Sequence, residues 1–177
     1  KLMTMSGRGG AEAGEFQPLL QSRGSADGRE DNLMRSYGAP TANSLTEEQV
    51  DELRFLSGIR VDGETVPAPV QHFADITLPS CLSQRLAQQG FTSPTPVQTQ
   101  TLPCQLAGRD VMVIAETGSG KTLAYCLPLV LLLSKYPPVL PGSSPRALVL
   151  VPSRELARQV EDELSALLAC LPPPPLP

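Results

Sequence analysis

The stretch "VMVIAETGSGKTLAYCLPLV", residues 111–130, constrains this chain more than any other. An apolar run leads into a turn carrying Gly118 and Gly120, and a long apolar helical pattern follows, so it reads as strand, glycine turn, helix. The glycines let the backbone wrap with its N–H groups inward, where side chains would clash, and the following helix aims its positive dipole end at the same point. Lys121 can bridge the β- and γ-phosphate oxygens of a nucleotide, and the Thr122 hydroxyl can ligate Mg²⁺. The bland alternative, a turn that merely starts a helix, explains neither the Lys-Thr pair nor the strand before it. The strict G-x-x-x-x-G-K-[ST] pattern is not met, because Ala115 stands at the first glycine position.

Around this centre the remaining pattern is α/β. "GFTSPTPVQTQTLPCQLAGRD" predicts a helix capped by Thr95 with Pro96 as its first residue and a break at Gly108. "DVMVIA" is a short strand, "YPPVLPGSSP" a loop, "RALVLV" a second strand, and "RELARQVEDELSALLA" a helix. Strand–helix–strand–helix implies parallel strands joined by right-handed crossovers, with ligands at the strands' C-terminal ends. Upstream, "NSLTEEQVDELRFLSG" predicts a helix with Ser44 and Glu47 at capping-box spacing, an apolar stripe of Val50, Leu53 and Leu56, and Gly58 as its C-terminal stop. "IRVDGETV" reads as a hairpin turning at Asp62-Gly63, and "DITLPSCLSQRLAQQG" as a second short helix.

Composition sets outer limits. The 19 Pro and 14 Gly are too many for one compact domain. Residues 1–43 are polar and aperiodic and are expected to be disordered, and "LPPPPLP" closes the chain as an extended tail. The division expected is 1–43 disordered, 44–72 extension, 73–100 base-side segment, 101–171 partial nucleotide-binding domain and 172–177 Pro-rich tail. The chain opens on Lys1, so an earlier start is expected. No apolar run suggests a membrane span. Cys81, Cys104, Cys126 and Cys170 lack C-x-x-C grouping and His72 is the single histidine, which argues against a zinc site and for reduced thiols in an intracellular protein of nucleus or cytoplasm. Residues 1–72 hold 7 Lys/Arg against 11 Asp/Glu, and 73–177 hold 7 against 7, so the net −4 lies wholly in the leading part. Any nucleic-acid contact must then come from a few placed groups.

"GFTSPTPVQ" offers a base-side partner to the phosphate turn. The Gln98 amide can meet adenine's N6 donor and N7 acceptor together, and Phe91 offers a flat stacking face. Phe73 lies seventeen positions before Gly90. In this order, Phe73, "GFTSPTPVQ", "AETGSGKT" and "VPSRELARQ" resemble the opening of the DEAD-box ATP-dependent RNA helicases: the upstream aromatic, Q motif, motif I and motif Ia. The resemblance runs from about Phe73 to Leu168, and residues 44–72 are similar to the extension of some members, most nearly the branch with a HIT-type zinc finger.

The resemblance implies an incomplete RecA-like P-loop domain that binds ATP, Mg²⁺ and RNA. It places Gln98 and Phe91 on adenine with Phe73 buttressing, and Ala115, Glu116, Thr117, Gly118, Ser119, Gly120, Lys121 and Thr122 around the phosphates, with Thr122 on Mg²⁺ and Lys121 and Thr122 carrying the catalytic roles. Pro152, Ser153, Arg154 and Glu155 would meet RNA; Ser153 replaces the family's usual Thr and keeps the hydroxyl. Hydrolysis in the family also needs the D-E-A-D carboxylates and arginines from a second domain. Neither follows Thr122 here, and the acidic "VEDEL" lies on a polar helix as a solvated face. The expected whole is the binding half of a helicase that remodels RNA duplexes or ribonucleoproteins, partnered by RNA and the rest of the helicase core. Two other readings stay open: a non-catalytic product acting by binding, and a P-loop small-molecule kinase.

Overall fold

The computed structural model describes residues 2–4 (backbone only), 45–137 and 142–172. The expected disorder of 1–43, the cap at Ser44 and the tail beyond residue 172 thus lie almost wholly outside the described residues. In chain order the elements are β1 (Leu2–Thr4), α1 (Glu47–Leu56), a 3₁₀ turn (Phe73–Asp75), α2 (Ser80–Gln88), α3 (Pro96–Leu106), β2 (Met112–Ile114), α4 (Lys121–Leu133) and α5 (Arg154–Leu168).

The helices follow their caps. Thr46, not Ser44, opens α1: its hydroxyl accepts from Gln49 N–H at 3.3 Å, and the Gln49 side chain accepts from Thr46 N–H at 2.9 Å. The capping box is present but shifted by two residues, because the reciprocal partner is Gln49. Gly58 ends α1 with φ +66, a backbone shape that glycine adopts without strain, while Ile59 N–H reaches back to the Arg54 carbonyl at 2.8 Å. Thr95 opens α3 in a second capping box with Gln98, and Pro96 is the first helical residue as the sequence predicts.

α4 is apolar on nearly every side, which marks a helix enclosed by neighbours rather than one lying on a surface. Leu123, Leu127, Val130 and Leu131 of α4 share one core with Leu82 and Leu86 of α2, Leu102 and Leu106 of α3, and Val160 and Leu167 of α5. A smaller cluster joins Ile59 and Val97 to Val61, Val111, Val113 and Ala115. Two helices carry an internal proline, which cannot donate to the carbonyl four residues earlier. Both abandoned carbonyls find a donor from elsewhere. Gln105 Nε2 on α3 donates to the Ala124 carbonyl that Pro128 leaves free, at 3.2 Å. Val70 N–H donates to the Thr99 carbonyl that Pro103 leaves free, at 2.9 Å. The breaks in the helix ladders have become tertiary joints.

The strands depart from expectation. β2 pairs in parallel with β1, with Leu2 opposite Met112 and Thr4 opposite Ile114, and not with "RALVLV". Residues 146–151 are irregular, and among the described residues no strand pairs with them. Their alternation nevertheless survives: Val149 and Val151 pack on the core, while Leu148 and Leu150 are 78% and 85% exposed. A strand requires a neighbour's hydrogen bonds as well as its own pattern, and here only the pattern is supplied. The hairpin at Asp62-Gly63 is also absent. Residues 63–65 form a bend held from outside, with Arg109 Nη1 donating to the Glu64 carbonyl at 2.9 Å and Nη2 to Thr65 Oγ1 at 2.8 Å. Among the described residues no helix is long and apolar enough to cross a membrane.

Candidate nucleotide-binding site

β2 delivers the chain to a turn over residues 115–120, and α4 leaves it at Lys121. Gly120 is the residue that starts α4, in the left-handed region at φ 91 and ψ 17. A side chain there is disfavoured twice. The φ is one that L residues rarely adopt, and a Cβ would lie 2.5 Å from Gln98 Nε2 and 2.9 Å from Thr95 Oγ1. Those two atoms hold the turn from the α3 side. Thr95 Oγ1 donates to the Ser119 carbonyl at 2.8 Å, and Gln98 Nε2 donates to the Gly120 carbonyl at 3.0 Å. Gln98 Oε1 accepts from Thr95 N–H at 3.1 Å, so the capping residues of α3 also grip the phosphate turn.

Lys121 lies over the turn's own oxygens. Its Nζ donates to the Ala115 carbonyl at 2.7 Å, to the Glu116 carbonyl, and to Ser119 Oγ at 3.4 Å. The ammonium thus stands in the cradle with backbone carbonyls where phosphate oxygens would be its partners. Glu116, Thr117 and Gly118 are exposed and Thr122 is half-buried. Tyr125, one turn along α4, has its phenol raised by burial and by neighbouring Cys126, an effect the Thr122 hydroxyl partly offsets by hydrogen bonding.

The structure divides the base-side residues. Phe91 is 37% exposed and follows α2, its N–H donating to the Leu86 carbonyl at 2.9 Å. Phe73 is 8% exposed inside the main core with Val70 and Ile76, so it presents no open face to a ligand. Gln98 is fully buried with both amide ends hydrogen-bonded. Each end carries one bond, so a second Nε2 hydrogen and a second Oε1 lone pair are left for the adenine-reading role drawn from its residue type, though the side chain has no exposed surface. The grip on the turn was invisible in the sequence, because nothing local links residue 98 to residue 120.

The segment expected to meet RNA is separate and exposed. Pro152, Ser153, Arg154 and Glu155 are all on the surface where α5 begins. Ser153 spends its hydroxyl as the helix cap, accepting from Leu156 N–H at 3.2 Å. Of "VEDEL", Glu161 and Asp162 face solvent as expected, Val160 is buried, and Glu163 is half-buried where its charge is felt by Cys126.

The DEAD/DEAH box helicase family profile matches residues 95–172, which spans the α3 cap, the phosphate turn and the exposed start of α5. The chain belongs to the DEAD-box helicases. The DEAD-box ATP-dependent RNA helicase 20 of Oryza sativa subsp. japonica is 46% identical over 125 residues, which are 71% of this chain and 25% of that protein. ATP-dependent RNA helicase dbp2 of Sclerotinia sclerotiorum is 44% identical over 126 residues, 71% of this chain and 22% of its own length. The chain spans about a quarter of the length of these curated relatives. Its fold is similar to the yeast DEAD-box splicing factor Prp28, with a TM-score of 0.64 and 32% identity over 69% of this chain and 29% of that one. It is likewise similar to the RNA-helicase Prp28 from Chaetomium thermophilum bound to ADP, with a TM-score of 0.66 and 32% identity over 73% of this chain and 32% of that one. The helices around the phosphate turn are thus an incomplete RecA-like domain of a DEAD-box helicase.

Proposed function

We propose that the chain is the ATP- and RNA-binding portion of an ATP-dependent RNA helicase, and that the longer protein uses it to remodel RNA duplexes or ribonucleoproteins. One observation carries the nucleotide reading: Thr95 and Gln98, on the segment that would meet the base, are hydrogen-bonded to the carbonyls of the turn that would hold the phosphates. A glycine turn that merely started a helix would have no need of this second anchor. A small-molecule kinase leaves the same anchor, and the exposed start of α5, without a role.

In this reading the turn holds a polyphosphate by its inward N–H groups, by the dipole of α4, and by Lys121 once its ammonium exchanges the Ala115 and Glu116 carbonyls for phosphate oxygens. The fit is chemical as well as positional, since the cradle already accommodates a cation against oxygens. Mg²⁺ would neutralise phosphate charge and prefers hard oxygen ligands, of which the Thr122 hydroxyl is one. Phe91 offers the exposed aromatic face nearest the α3 cap in sequence, and Gln98 would meet the base with its second Nε2 hydrogen and Oε1 lone pair while it keeps the Gly120 carbonyl. RNA phosphates would meet the exposed start of α5, with Arg154 as the mobile cation and the helix N–H groups as fixed donors. Four unpaired thiols fit an intracellular setting, nuclear or cytoplasmic. Hydrolysis would draw on carboxylates and arginines that do not follow Thr122 in these 177 residues, so turnover is assigned to the longer protein.

The test is a titration of the chain with fluorescent adenosine and guanosine diphosphates, followed by RNA-stimulated ATP hydrolysis in the longer protein. Adenosine preference in the chain, with Lys121→Ala abolishing both binding and turnover, is the expected result. Equal affinity for the guanosine nucleotide, or turnover indifferent to Lys121→Ala, would defeat the reading.

A further inference from the structure

Arg54 leaves α1 and reaches the side of α3 that faces away from the phosphate turn. Its Nε donates to Gln100 Oε1 at 2.9 Å, and its Nη2 donates to the Pro67 carbonyl at 3.3 Å. Gln100 Nε2 donates to the same Pro67 carbonyl at 2.8 Å and approaches Cys104 Sγ at 3.6 Å. Gln100 has no exposed surface, and the Arg54 side chain is 18% exposed with Asp51 at 3.6 Å on its outer side. Three segments far apart in sequence are tied here in one polar knot. Without the guanidinium, Gln100 Oε1 would be a buried acceptor lacking its strongest donor.

α1 has little else to hold it. None of its residues is buried, and Val50 and Leu53 are only half-buried. Phe55 and Leu56 point outward at 84% and 73% exposure. A helix without a buried apolar face docks through what remains, and what remains is Arg54 together with Ile59, which packs on Val97 of α3 just past the helix end.

Gln100 stands two residues after Gln98, and side chains two apart on a helix project to opposite sides. On one side of α3, Gln98 and Thr95 hold the phosphate turn at Gly120 and Ser119. On the other, Gln100 is held by Arg54. The beginning of α3 is therefore fixed between the extension and the turn, with no mobile link between the two grips. We propose that Arg54 is a positioning residue for the nucleotide site: by seating Gln100 it sets where α3 lies, and through Gln98 and Thr95 it sets the shape of the phosphate turn. Displacement of α1 by any partner then lowers nucleotide affinity without touching nucleotide. The inference rests on the nucleotide reading above.

The experiment uses the full chain as Arg54→Ala and Arg54→Lys, with Phe55→Ser as a control at a solvent-exposed position of the same helix. Two quantities are read: affinity for fluorescent ADP, and hydrogen exchange of residues 118–123 in the ligand-free chain. Arg54→Ala is expected to weaken ADP binding about 5-fold or more, the lower end of ordinary coupling between sites, and to speed exchange over 118–123. Arg54→Lys, which keeps the charge but loses the fork of donors, should fall between; Phe55→Ser should change neither. If Arg54→Ala does not fold, the same two readings on Arg54→Lys decide the matter. Faster exchange confined to α1, with residues 118–123 and ADP affinity unchanged, overturns the proposal and leaves Arg54 as a local fastener. Should the unaltered chain bind no ADP, the nucleotide reading fails by itself, and exchange over 118–123 still decides whether Arg54 controls the turn.

Discussion

Cys126 lies on the enclosed helix α4 with no exposed surface, and burial pushes its thiol up to about 12 from 9.0, helped by the charge of Glu163. The folded chain therefore keeps this proton when the unfolded chain has lost it. Because the folded pKa is raised, the favourable contribution is complete below pH 9 and is lost as pH climbs toward 12. The urea midpoint should accordingly stay level through neutral pH and fall between pH 9.0 and about 12, with Cys126→Ala making the fall shallower; Cys104, also raised by burial, accounts for a remainder. An alkaline limb unaltered by Cys126→Ala would show that this thiol ionises as easily inside the fold as outside it. Residue identity made some of this scale legible. Lys121, Thr122, Gly118 and Gly120 announce a phosphate cradle by type and order, because each is chosen for a local backbone or charge requirement. Gln98 was legible as a candidate for the base, while its grip on the turn was not. Its partner is the Gly120 carbonyl, and a backbone atom twenty-two positions away leaves no mark on residue type.

At the scale of elements, the two internal prolines make a sharper test of how the helices depend on each other. Pro128 abandons the Ala124 carbonyl, and Gln105 on α3 supplies the replacement donor. Gln105→Leu keeps the bulk and removes the donor, and is expected to cost about 1–3 kcal/mol, the range for a polar group left unsatisfied in the interior. In a Pro128→Ala background the same substitution should cost much less, since residue 128 regains an N–H aimed at Ala124. Urea unfolding of the four variants measures the difference, and strict additivity would mean that the Gln105 contact is incidental. Helices were the most readable elements of this sequence. The cap at Thr95, the start at Pro96 and the stop at Gly58 are all local chemistry. Strands were only half so: β2 lies within "DVMVIA" as expected, but "RALVLV" has the period of a strand and depends on a partner for its hydrogen bonds. The bend at residues 63–65 misled for the same reason: Asp62-Gly63 favours a turn, but the flanking residues find Arg109 and the small cluster around Val97 instead of each other.

For the molecule as a whole, the decisive region is the trough beside residues 148–152. It has a volume of about 630 Å³ and is lined by Gln105, Tyr125, Pro128 and Leu132 on the helical side and by Leu148 and Leu150 on the other. Exposed, extended and apolar, this segment has the character of an unprotected sheet edge, which invites another chain to pair with it. The chain in isolation is expected to self-associate at micromolar concentration and to bind hydrophobic dyes. Lys in place of both Leu148 and Leu150 should lower association in sedimentation experiments while leaving ADP affinity intact, since neither residue reaches the phosphate turn. Association indifferent to both changes would place the sticky surface elsewhere, with Phe55 and Leu56 the next patch to alter. The RecA-like architecture could be read from the order of motifs, yet this trough could not. Pattern reports which residues want company and is silent on whether company arrives.

The ammonium of Lys121 is already coordinated before any ligand comes, by oxygens of its own loop. An arriving polyphosphate must accordingly displace a tethered competitor before the lysine can meet it. Part of the cost of binding is in this way written into the resting conformation, ahead of any contact with the purine.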